Sequence, residues 1–103
     1  MNITILKKLK ELKNLYKDNG FLIVGVFGSY AREQENKNSD IDILYTLDKR
    51  FTNKYGGWGA ITQLEMIKEH IKSVLNITKV DLATSDTKNQ TLQKTIKDEL
   101  VYV

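Results

Sequence analysis

Four residues in one short stretch carry the chemistry that this sequence can do. Gly28-Ser29 is followed, ten residues later, by Asp40-Ile41-Asp42. On a β-strand, residues two apart face the same side with Cα atoms about 6.6 Å apart, so Asp40 and Asp42 should project together. Two adjacent carboxylates suit a hard divalent ion, and magnesium keeps positions free for water and substrate phosphates. Gly28 leaves room for a phosphate to approach the backbone, while Ser29 supplies a hydroxyl and an amide donor. A helix starting just after Ser29 would add its free amides to that anion site. A third acid, Asp81, lies between Val80 and Leu82 in an otherwise apolar stretch. An acid in that setting asks for a partner; a metal ion is the most economical one, and a surface-facing strand position or a salt bridge to a lysine such as Lys79 is the alternative.

The elements that must position these residues are legible from periodicity. Ile3 to Tyr16 repeats Leu6, Leu9, Leu12, Leu15 and Tyr16 at helical spacing, and its leucine stripe reads as core. Asn19-Gly20 ends that helix. The apolar run Phe21 to Phe27 is short and glycine-bounded, which predicts a buried strand ending at Gly28-Ser29. Tyr30 to Arg32 reads as a helical turn and Glu33 to Ser39 as a polar loop. Asp40 to Leu47 alternates Ile41, Ile43, Tyr45 and Leu47 on one face, the pattern of a second strand. Asp48 to Gly59 reads as a loop, with Tyr55 and Trp58 packing locally. Ala60 to Leu75 is a long amphipathic helix on which His70 is solvated, Ile77 to Thr84 a third strand, and Thr91 to Glu99 a last helix. An apolar end, Val101-Tyr102-Val103, follows. The order helix, strand, strand, helix, strand, helix predicts an α+β fold, a small mixed sheet packed against helices.

Composition limits the rest. A chain of 103 residues holds a single domain, here 1–103, and 41% hydrophobic with 28% charged residues is a globular balance. The absence of cysteine excludes disulfides and thiol chemistry. No apolar run approaches the roughly 20 residues that span a bilayer, and no leader is visible, so a cytoplasmic location is expected. The net charge of +3 comes from dispersed lysines with only Arg32 and Arg50 beside them, so no dedicated nucleic-acid surface is expected.

Together, VGVFGSYARE, SDIDIL and VDLAT resemble the polymerase beta-like nucleotidyltransferases, and more closely their minimal members, the MNT antitoxin family paired with HEPN ribonuclease toxins. The resemblance runs along essentially the whole chain and implies the polymerase beta-like fold. It implies transfer of AMP from ATP with release of pyrophosphate, supported by two Mg2+ ions. It assigns Asp40, Asp42 and Asp81 to the metal ions, Asp81 also to the acceptor proton, and Gly28, Ser29 and Arg32 to the nucleotide phosphates. The implied acceptor is a tyrosine of the HEPN toxin, with which the chain would form a hetero-oligomer; alone it could self-associate through its apolar end. One departure is that Glu33 stands where the family commonly has glycine. Two other roles fit the same resemblance: an antitoxin that only masks its toxin, and a transferase acting on a small molecule of aminoglycoside type. Three clustered acids favour the enzyme over the mask, and the lack of a second acceptor-binding domain disfavours the small molecule.

Overall fold

A computed structural model describes residues 1–36 and 38–103. Helix α1 spans Ile3–Tyr16, and the Asn2 side chain caps it by accepting from the amides of Thr4 and Ile5. Its buried residues are Leu9 and Leu12; Leu15, which the stripe placed in the core, is instead exposed. A 3-10 turn, Lys17–Asn19, ends on Gly20 in the left-handed conformation at φ 83°. A side chain at Gly20 would strike the backbone of Phe51, so glycine is demanded there on two counts.

Strands β1 (Phe21–Phe27) and β2 (Ile41–Leu47) pair antiparallel, with an irregularity between Ile23 and Gly25. The segment 48–59 is not simply a loop. Asp48 accepts from the Arg50 amide and caps a short helix α2, Lys49–Lys54, which buries Phe51 completely. Tyr55 packs on Phe51 with ring centroids 5.0 Å apart, but Trp58 stands in solvent at 83% exposure and begins helix α3, Trp58–Leu75. Strand β3 is shorter than the apolar run suggested, Val80–Thr84, and is followed by α4, Gln90–Glu99. Within the apolar end, Val101–Tyr102 forms a short edge strand, β4, with Tyr102 exposed.

The sheet order is β3-β2-β1-β4. Since β2 and β3 are parallel, a crossover is required, and α3 supplies it. Helices α1 and α3 cover one face of the sheet: Leu9, Leu12, Ile67 and Ile71 pack with Phe21, Ile23, Val26, Ile41, Ile43 and Val80 in one core. Alternation along β2 then sends Ile41 and Ile43 into that core and Asp42 to the opposite face. Among the described residues, no helix is long and apolar enough to cross a membrane.

Candidate active site

The three aspartates meet at one end of the sheet. Asp40 immediately precedes β2, Asp42 is its second residue, and Asp81 is the second residue of β3. Parallel register sets Ile41 opposite Val80 and Asp42 opposite Asp81, so the two carboxylates share a face on neighbouring strands about 4.8 Å apart. The pairing is locked at its start by the Ile41 amide, which donates to the Lys79 carbonyl at 3.0 Å. Asp40 and Asp81 are exposed; Asp42 is half-buried.

Asp42 feels this crowding. Its own burial, followed by the negative charges of Asp81 and Asp40, pushes its pKa up to about 6; Arg32 pulls the other way and Glu99 adds to the rise. Gly28 follows β1 at φ 79°, with its Cα under the Asp42 carboxylate, which fills the space that a Cβ would need. The free space foreseen at Gly28 is therefore taken by Asp42. Gly28 and Ser29 open a tight turn rather than a helix: the Arg32 amide donates to the Gly28 carbonyl at 3.1 Å and the Gln34 amide to the Ser29 carbonyl at 2.9 Å. Glu33, in the family's glycine position, keeps a left-handed φ of 60°, and its carboxylate meets the Met1 ammonium at 2.6 Å. Of the 33–39 loop, residue 37 lies outside the described residues.

Arg32 reaches the same end of the sheet. Its Nη1 donates to Glu99 Oε1 at 2.5 Å and its Nε to Gln34 Oε1 at 3.0 Å. Glu99 was not foreseen, for it lies 67 residues along the chain and nothing local marks it. Also unforeseen is a shallow cleft of about 460 Å3 at the outer edge of β3, where Lys68, Lys72 and Lys79 line the wall beside Asp40 and Asp81. His70 is exposed as expected, though its Nδ1 meets the Tyr16 hydroxyl at 2.5 Å.

The donor set fits magnesium: oxygen ligands only, on adjacent strands, with one carboxylate whose charged form is disfavoured until a cation arrives. Among the described residues, no three such side chains already converge into a finished cage. Asp40 and Asp81 are exposed, and uncompensated carboxylates repel one another.

Comparison with known proteins bears on the family and the fold. The family model for polymerase beta nucleotidyltransferases matches residues 7–103. MJ1379 of Methanocaldococcus jannaschii, which bears the name of a protein adenylyltransferase, is 38% identical over 101 residues, covering 96% of this chain and 91% of its own. The protein adenylyltransferase MntA of Thermococcus cleftensis is 29% identical over 94 residues, covering 91% of this chain and 83% of its own. Among solved structures, a minimal nucleotidyltransferase superposes with a TM-score of 0.72 at 22% identity, covering 100% of this chain and 97% of that one. A mutant toxin–antitoxin complex, MntA–HpeT, gives 0.63 at 23% identity, covering 100% and 72%. The three acids on two parallel strands, beside a glycine-serine turn, are thus set in a chain that belongs to the polymerase beta nucleotidyltransferase family.

Proposed function

We propose that this nucleotidyltransferase is a magnesium-dependent protein adenylyltransferase acting as an antitoxin, which moves AMP from ATP to a tyrosine hydroxyl of a HEPN ribonuclease toxin. The observation that carries the reading is the Asp42–Asp81 register, with Asp40 alongside and the Gly28-Ser29 turn on the neighbouring strand. Support for the protein acceptor and the nucleotide comes from relatives named protein adenylyltransferases and from a similar fold solved as a toxin–antitoxin with AMP-PNP.

Asp40 and Asp42 would hold both magnesium ions, and Asp81 would complete the site nearer the acceptor. When bound, those ions neutralise the triphosphate and the charge developing on the departing pyrophosphate. Ser29 and Arg32 would hold the β- and γ-phosphates, on the β1 side of β2, leaving the β3 side for the acceptor. The tyrosine oxygen bonds to the α-phosphorus as the bond from that phosphorus to the bridging oxygen breaks. Pyrophosphate leaves, and Asp81 takes the phenolic proton.

The test is incubation of the protein with labelled ATP, magnesium and its co-encoded neighbour, followed by mass spectrometry of the neighbour. A tyrosine carrying AMP upholds the proposal. A tight, unmodified and nontoxic complex would replace it with masking.

A further inference from the structure

Glu99 is an acid placed where the local charge opposes it. It is the last residue of α4, its side chain is 23% exposed, and its charge adds to that of Asp81 and Asp40 at Asp42. One of its oxygens takes Arg32 Nη1; the other is buried with no hydrogen-bond partner among the described residues. Apolar packing would be served better by a neutral residue there.

What Glu99 touches is Arg32. A guanidinium carries five N–H donors; among the described residues Glu99 and Gln34 take one each, and three remain. Arg32 is long and 42% exposed, and it stands near enough to Asp42 to act on it electrostatically. Left without a tether, such a side chain would settle on the aspartates, where it would compete with a cation. The tether is itself firmly placed. Immediately beyond Glu99, Val101 pairs with Val26 and Tyr102 with Gly25, and the Val103 amide donates to the Val24 carbonyl at 3.1 Å.

We infer that Glu99 is a positioning residue: its carboxylate holds the Arg32 guanidinium beside the aspartate cluster rather than on it, with three donors free for the phosphates of the nucleotide. This rests on the nucleotide-binding part of the reading above and is independent of which acceptor is used.

The test measures Mg-ATP affinity by calorimetry on the full chain and its variants Glu99→Ala, Glu99→Gln, Arg32→Ala and Arg32→Ala/Glu99→Ala, with melting temperatures alongside. Glu99→Ala should weaken Mg-ATP about tenfold, and Glu99→Gln, which keeps the shape and one acceptor, should weaken it less. The double variant should bind no worse than Arg32→Ala, because Glu99 acts through Arg32. With the tyrosine acceptor supplied, the loss should appear in the KM for ATP and leave kcat nearly unchanged. Removing a negative charge beside a polyphosphate would by itself tighten binding, so unchanged or tighter binding in Glu99→Ala overturns the inference. Losses that multiply in the double variant overturn it too, as does a parent chain that fails to bind Mg-ATP. A parent that binds Mg-ATP in a Glu99-dependent way but modifies no protein leaves the inference standing and removes the proposed function alone. Should Glu99→Ala melt early, Glu99→Gln and the double-variant comparison decide.

Discussion

The Asp42 carboxylate lies over the bare Cα of Gly28, in the volume that any side chain at residue 28 would occupy. The contact ties the turn after β1 to the acid on β2 and makes glycine necessary twice, for its φ of 79° and for this approach. Gly28→Ala should cost about 1–2 kcal/mol in left-handed strain alone. It should also displace Asp42 and lower transfer far more than that loss explains. A thermal melt paired with an AMP-transfer assay separates the two effects. A variant that stays active would show that the turn has no part in the site.

Asp42 also sets a pH dependence. Its pKa is about 6 in the folded chain against 3.8 for the free group, so folding favours its protonated form. The stability this brings is complete below 3.8 and is lost as pH rises through about 6. Without metal, the parent should therefore melt at a higher temperature at pH 5 than at pH 7.5, and Asp42→Asn should show a smaller difference. At pH 7.5 the Asn variant should be at least as stable as the parent, since a repelled charge has gone, yet lose transfer by about a hundredfold or more. Magnesium should raise the parent's melting temperature more at pH 7.5 than at pH 5. An apo Asp42→Asn that melts well below the parent would mean that the acids are structural.

The parts of this site that depend on local pattern could be read from the chain, and the parts that depend on pairing could not. Helix α1 and strand β1 fall at their expected bounds because the leucine spacing and the glycine-bounded apolar run are local signals. Asp81 was visible as an acid in an apolar strand, but its place opposite Asp42 comes from a parallel register that no short stretch encodes. Helix α2 is only six residues long, too short for periodicity, and its one mark is the Asp48 cap ahead of Phe51. Two residues of apolar tail gave no sign of β4, the strand that follows Glu99 and pairs with β1.

Gly25 links that tail to the site. A Cβ there would collide with the Val101 carbonyl and press on Leu100, so Gly25→Ala should loosen β4 from β1. The expected result is a loss of about 1–3 kcal/mol, typical of an overpacked interior position. Faster amide exchange at Val101 and Val103, whose amides face β1, should accompany it. If β4 is what places Glu99, nucleotide affinity should fall by a factor similar to that of Glu99→Ala. Exchange that quickens with no change in affinity would show that the tail serves stability only.

The loop after Ser29 offers an opposite case, in which a substitution should help. Glu33 is held at φ 60°, a conformation that costs an L-residue about 1–2 kcal/mol and glycine very little. Glu33→Gly gives back about 0.5–1 kcal/mol through the flexibility of the unfolded chain, and it removes an exposed contact with the Met1 ammonium. The balance favours the variant slightly, so its melting temperature should equal or exceed the parent's. Transfer should be kept, because the Arg32 amide bond to Gly28 and the Arg32–Glu99 pair do not involve the Glu33 side chain. A clearly lower melting temperature would mean that the Glu33 carboxylate holds the loop and the left-handed turn is secondary.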